Sequence, residues 1–323
     1  MNLAGAKGYD ASEPVSQLLA DAVHRIDAEW NRDLPLSASA VREWTLAVSG
    51  GQGLEAYFLH PSAFPMVFLS WWLDESLGIT PDVDFHQDLI GAAVRGYLGI
   101  RLIDDVMDRD SSARPDLLPL VAVFFARFQS VFARRFSADD VFWRTFHHHW
   151  TVAADSAVCD GAAGAVENTS FQVIGAHKLD ASLILMAAAS RHAGLEEIPG
   201  PWVAFFRQLA EWHQFRNDLR DWYRDWKRGA STLVLAEAEK ACPADVNLET
   251  WMIRGGLADA HTALIGRLQR LYATAESLGS PGAIHYLNTK RSETLMAARS
   301  LQEGVQELAR LVAPDMHSSP GGK

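Results

Sequence analysis

The chain has 323 residues, 48% of them hydrophobic, with 11 Trp, 15 Phe and a formal net charge of -11. Such acidity excludes a nucleic-acid surface of the usual basic kind, whereas the apolar content suffices for a large core and an aromatic-walled cavity. The two cysteines, Cys159 and Cys242, build no disulfide framework and suit a reducing compartment.

In chain order, the opening MNLAGAKGYD lacks the apolar centre of a secretory signal, and no apolar run reaches the ~18 residues of a membrane span. A cytoplasmic protein without stable membrane insertion is expected. Residues 1–13 read as a flexible N-terminus, 14–314 as one domain and 315–323 as a disordered tail. Helical periodicity starts at Pro14 and runs to Asn31, and SGGQG at Ser49 to Gly53 marks a loop. The segment from Ala63 to Leu77 is apolar on most faces and predicts a buried helix. A long helix from about Phe85 to Met107 ends in the charged run RLIDDVMDRD. Two further helices follow, PDLLPLVAVFFARFQSVFARRF and DDVFWRTFHHHWTVAADSAV, before Gly161, Gly164 and ENTS break the pattern. FQVIGAHKLDASLILMAAASRHAG is helical again, GLEEIPGP is a connector, and WHQFRNDLRDWYRDWKRG forms the next helix. Helical pattern continues through the 250s and 260s and again after Pro281. No stretch alternates as a strand does and no repeat is present, so the expected fold is all-α.

Two clusters of oxygen-bearing side chains stand out. Asn217, Asp221 and Asp225 recur every fourth residue and share one helix face, with Asp218 one step off their line. Asp104 and Asp108 likewise share a face at a helix end, with Asp105 slightly around from them. The plain alternatives are an amphipathic helix salt-bridged to Arg216, Arg220 and Arg224, and a solvated helix terminus. Carboxylates at a helix C-terminus oppose the macrodipole, however, and a row of them repels itself unless cations neutralise it. Two such clusters on long helices point to magnesium, two or three ions with manganese as a substitute, held between carboxylates and phosphate oxygens.

These motifs resemble the class I isoprenoid synthase superfamily, which spans trans-prenyl diphosphate synthases, squalene and phytoene synthases, and class I terpene cyclases. RLIDDVMDRDSSARP is similar to the first aspartate-rich motif of trans-prenyl synthases, with Arg114 at the second position of that family's Arg-Arg pair and Ala113 at the first. GAHKLDASLILMA resembles the Lys-Thr segment, keeping Lys178 but carrying Leu179 in place of Thr. QFRNDLRDWYRDWKRG is similar to a form seen in squalene and phytoene synthases through Gln214, Asn217, Arg220, Asp221, Asp225 and the basic-Arg-Gly that follows. It fits more loosely the Asn, Ser/Thr, Glu metal triad of the cyclases. The resemblance covers most of the chain from Ala63 to Leu235 and implies a single-domain helical bundle around a central active-site cavity, with homodimerisation as a further implication.

One departure shapes the functional expectation. Chain-elongating members carry a Gly-Gly-Lys-Arg-like segment whose cations hold the diphosphate of the second substrate. Here the corresponding stretch reads FLHPSAFP, in which only His60 can carry charge. The expectation is therefore a magnesium-dependent terpene synthase, a carbon–oxygen lyase of specialised isoprenoid metabolism acting on one linear or pre-cyclised prenyl diphosphate. Its metal ligands would be Asp104, Asp105, Asp108, Asn217, Asp218, Asp221 and Asp225, with Asp104, Asp108 and Asp221 central to catalysis. Arg114, Lys178, Lys227 and Arg228 are the candidate diphosphate donors. Water would quench an allylic cation, so the pocket needs apolar, quadrupolar walls, for which Phe68, Trp71, Trp72, Phe171, Trp212 and Phe215 are candidates. The rivals are prenyl transfer, by elongation or head-to-head coupling, and a non-catalytic partner of a prenyl synthase. His147, His148 and His149 cannot converge on one ion from consecutive helix positions and read as structural or surface residues. The ARRF edge at Ala133 to Phe136 reads as solvated, and the spacing of Tyr286 and Arg291 suits a diphosphate cap poorly.

Overall fold

A computed structural model describes residues 13–161 and 175–312 of the chain. The structure is 77% helical, with no strand among the described residues, as the periodicity requires. The α-helices of five residues or more are α1 (Glu13–Asp33), α2 (Ala38–Val48), α3 (Leu54–Phe58), α4 (Leu69–Ser76), α5 (Val83–Met107), α6 (Leu120–Ala133), α7 (Phe142–Gly161), α8 (Leu183–His192), α9 (Gly200–Arg228), α10 (Leu233–Ala241), α11 (Leu257–Leu278) and α12 (Pro281–Val312). No described helix is long and apolar enough to cross a membrane. The 315–323 tail and most of the 1–13 segment lie outside the described residues.

Prolines account for two of the differences from the expected elements. The helix expected from Ala63 begins only at Leu69, because Pro65 lacks an amide proton and disfavours helical backbone before it. The chain there turns through Phe68 N–H to Pro65 O at 3.0 Å. The helix expected from Pro115 likewise splits into a short 3-10 turn, Pro115–Leu117, and α6 beyond Pro119. The expected helix from Phe171 to Gly194 is interrupted at Lys178 and Leu179, and α8 starts at Leu183. Gly229, at φ 68°, terminates α9 in the left-handed conformation that glycine adopts without cost, and Ala230 N–H returns to Asp225 O at 2.9 Å.

One continuous core joins these helices, from Val15 in α1 to Leu287 in α12. Helix α5 packs mainly on α1 and α6, whereas α9 packs on α10 and α11. Close approach of α5 and α6 depends on Gly99, where an added Cβ would lie 2.5 Å from the Phe125 ring. Between α4 and α5, Ser70 Oγ stands 3.5 Å from His86 Nδ1, and His86 Nε2 stands 2.8 Å from Asp74 Oδ2. Those three residues have the connectivity of a hydrolase triad, but all are sealed in the core, so the line ties α4 to α5 and does no chemistry on a solute.

Candidate active site

Helix α5 carries the first carboxylate group to its C-terminal end, and the structure divides the group by burial. Asp105 is fully buried. Its carboxylate lies 2.5 Å from Arg101 Nη2 and accepts hydrogen bonds from Trp44 Nε1 at 3.2 Å and Ser112 Oγ at 3.0 Å. A carboxylate so engaged fixes the loop after α5 to α2, and its burial sets Asp105 apart from Asp104 and Asp108 among the expected metal ligands. Asp108 is exposed. The Asp104 side chain keeps 46% exposure, with Arg101 Nη1 at 3.4 Å. Desolvation raises the Asp104 pKa, Arg101 and Lys178 pull it down, and the Asp108 and Asp105 carboxylates push it up again. Repulsion between open carboxylates one helical turn apart is the condition that a divalent ion relieves. Arg109, directly after the motif, holds a left-handed φ of 53°, an uncommon conformation for a side-chain-bearing residue.

The second group divides in the same way. Asp218 is buried and accepts from Gln214 Nε2 at 2.7 Å and from the Leu233 amide at 3.1 Å. It thereby joins α9 to the N-terminus of α10, where a negative charge is favoured, and its burial sets it apart from Asn217, Asp221 and Asp225. Asn217, Asp221 and Asp225 are partly exposed along the adjoining face. Arg220 and Arg224 reach Asp221 Oδ2 at 3.1 and 3.2 Å, and Arg224 Nε stands 3.6 Å from Asp225. Burial raises the Asp225 pKa and Asp221 adds to the rise, against Arg224 and Arg228. The salt-bridged and the ligand readings of this helix thus coexist, because exposed arginines can swing away at little cost.

Lys178 lies in the turn between Gly175 and Asp180, and its positive charge is one of the influences that lower the Asp104 pKa. That turn is fastened to α9 at both ends. A Cβ on Gly175 would sit 2.8 Å from Gln214 Cγ, so glycine permits the close approach. Asp180, fully buried, is clamped by the Arg207 guanidinium, one nitrogen of which lies at 2.8 Å, and by His149 Nδ1 at 3.1 Å. Burial alone would raise the Asp180 pKa, but His149 and Arg207 outweigh it and leave the group below the usual carboxylate range. His149 is therefore tied into the fold, while His147 and His148 are exposed.

The other candidates fall into place less directly. Arg114 forms a two-pronged pair with Asp116 at 2.8 and 2.7 Å near the surface. Lys227 rests over the Trp226 ring at 4.4 Å, and Arg228 is exposed in the last turn of α9, where basic residues complement the helix dipole. Phe68 stacks on Trp72 at 5.8 Å, and Trp72 packs on Tyr286 of α12. Trp71 donates to Glu75 and meets His86 edge-on. Trp212 is buried, its indole nitrogen has no hydrogen-bond partner among the described residues, and Arg216 stands 5.8 Å from the ring centre. Phe215 lies under Arg267 of α11 at 4.0 Å. Its place in the α9–α11 contact, about 160° around α9 from Asn217, removes it from the carboxylate face. Phe171 lies outside the described residues. Among the described residues, no three His, Cys, Asp or Glu side chains stand together closely enough to hold an ion unaided.

A group of cations surrounds the FLHPSAFP stretch that sequence reasoning read as poor in charge. Arg216 donates to Pro61 O at 3.5 Å and Ser62 Oγ at 3.3 Å, and the buried Lys290 ammonium donates to the same Pro61 carbonyl. Glu293 faces both, at 3.5 Å from Arg216 and 3.3 Å from Lys290. Burial depresses the His60 pKa, and Lys290, Arg216 and Arg220 depress it further. These cations come from α9 and α12, more than 150 positions downstream, so no local motif announces them.

No protein-family profile matches the chain, and no curated protein matches it.

Proposed function

We propose that the chain is a magnesium-dependent class I terpene synthase that ionises a prenyl diphosphate, releases diphosphate and lets the allylic cation close to a hydrocarbon or alcohol. What supports this reading is that Asp104 and Asp108 stand open at the end of α5, and Asn217, Asp221 and Asp225 along one face of α9, while Asp105 and Asp218 are buried. Asp104 and Asp108, with Asn217, Asp221 and Asp225, are the oxygen donors suited to magnesium, a hard ion that uses few carboxylates and completes its shell with water and phosphate oxygens. When bound, that ion neutralises charge on the departing diphosphate. Lys178 adds a cationic donor to the same oxygens, and the Asp180 clamp holds it in position before substrate arrives. Phe68 and Trp72 offer buried apolar faces that exclude water from a cation and stabilise it through ring quadrupoles. Incubation with magnesium and C10 to C25 prenyl diphosphates, followed by product extraction and mass analysis, tests the reading. Cyclic products support it, and formation of unrearranged alcohol alone defeats cyclisation.

Prenyl transfer is the second reading, favoured by the cations of α9 and α12 around Pro61 and Ser62. They supply positive charge where the local sequence has none. A product longer than the allylic substrate, formed only with a second prenyl diphosphate and lost in Arg216→Gln, would establish this reading over cyclisation.

A further inference from the structure

A separate cavity of about 240 Å³ opens between α1, α5 and α6. Its charged walls are Arg25, Arg95, Arg127 and Arg134 against Glu29 and Asp88. Four guanidinium groups facing two carboxylates leave two excess positive charges, in a chain whose net charge is -11. The cavity is remote from the motifs. Arg95 precedes Asp104 by nine residues, two and a half helical turns, which places it about 14 Å along α5 and on the opposite face.

The ion pairs leave part of this charge available. Glu29 grips Arg95 with contacts of 2.7 and 3.2 Å, and Arg95 Nη1 also donates to Gly91 O at 2.7 Å. A Cβ on Gly91 would lie 2.8 Å from that nitrogen, so the glycine gives the guanidinium its seat in the wall. Arg127 uses one nitrogen on Asp33 at 2.7 Å. Asp88 takes Arg135 at 2.5 Å and leaves Arg134 at 3.8 Å, a loose pair. Arg25 is exposed and has no ion pair among the described residues. Arginine presents planar, doubly donating edges that match phosphate oxygens, and it remains charged at every physiological pH. The volume falls below the ~300 Å³ at which pockets begin to enclose drug-sized molecules, so the fitting ligand is a small anion and not a prenyl chain or a nucleotide.

We propose that the α1–α5–α6 cavity is a binding site for a small phosphate-bearing anion, distinct from the carboxylate site and independent of its function. Isothermal titration of the full chain with inorganic diphosphate, in magnesium-free, chelator-containing buffer of low ionic strength, tests this. Saturable binding that weakens with added salt is expected, as screening demands for partly exposed charges. The double variant Arg25→Gln, Arg134→Gln alters two exposed side chains and should weaken binding at least tenfold. Glu29→Gln, which frees Arg95 from its counter-charge, should strengthen it. Asp104→Asn and Arg216→Gln should leave the affinity unchanged. The proposal is overturned if no saturable binding occurs in the millimolar range, if the double variant binds as the parent does, or if Arg216→Gln abolishes the binding.

Discussion

Asp104 and Asp105 are adjacent in sequence and opposite in consequence, and substituting each by alanine separates structure from chemistry. Removing the Asp105 carboxylate strips Trp44 Nε1 of its acceptor in a residue only 1% exposed, and takes one hydrogen-bond acceptor from Ser112. It also removes the buried counter-charge of Arg101, which keeps Asp104 at 3.4 Å and Asp110 at 3.1 Å. Breaking a buried pair from one side costs about 3–5 kcal/mol. Because Arg101 retains 26% exposure and two other carboxylates, the lower half of that range applies, about 3–4 kcal/mol. With unfolding entropy of about 2.1 cal/mol/K per residue, a two-state chain of this size would melt roughly 4–6 °C lower. Asp104→Ala removes a half-exposed carboxylate whose repulsion with Asp108 is relieved, so its stability should stay within about 0.5 kcal/mol of the parent. Magnesium-dependent turnover should nevertheless be abolished. Differential scanning calorimetry beside a diphosphate-release assay reads both effects. Equal melting temperatures for the two variants, or a larger drop for Asp104→Ala, would refute the division of the motif.

Three further expectations concern the core. His213 is buried, and its pKa is depressed to about 3 by burial and by Arg216, Lys290 and Arg220. The unfolded chain takes up a proton near pH 6.5 that the folded chain refuses, so stability is lost as pH falls below 6.5, by roughly 2 kcal/mol down to pH 5; denaturant titrations of His213→Leu should lack this component. Lys290 repeats the effect at higher pH, its pKa lowered to about 8 by burial. Above pH 8 the folded chain releases a proton that the unfolded chain retains up to about 10.5, so the parent should gain roughly 1–2 kcal/mol over Lys290→Met between pH 8 and 9.5, and parallel curves would contradict the assignment. Gly99→Ala should cost about 1–3 kcal/mol by driving Phe125 against Trp150, whose ring centre lies 4.8 Å away, as read by the denaturation midpoint.

The helical architecture was legible because period and punctuation are local: α1 and α5 lie where the apolar spacing places them, and α9 contains the expected helix from Trp212 but extends it back to Gly200. Where helices were expected too long, as at Pro65 and Pro119, the signal for the break was present in the proline itself. The division within each carboxylate group was not legible. Asp105 is distinguished from Asp104 by Trp44, 61 positions away, and Asp218 from Asp221 by a backbone amide in α10. Such partners are set by packing, which a single helical period does not encode. One local clue existed, since Arg101 precedes Asp104 and Asp105 by three and four residues, the spacing of helical ion pairs. The clamp of Asp180 by His149 and Arg207, and the cations gathered around Pro61, arise from contacts between distant segments and had no sequence signature.

The proposed function requires the open carboxylates of α5 and α9 to serve one diphosphate-releasing centre. Its most direct measurement is the rate of diphosphate release from a prenyl diphosphate panel, with and without magnesium, for the parent, Asp104→Asn and Asp225→Asn. Release should depend on magnesium in the parent, stop with chelator and be lost in both variants while their melting temperatures hold. Release that persists without divalent ions, or in either folded variant at the parent's rate, would contradict it.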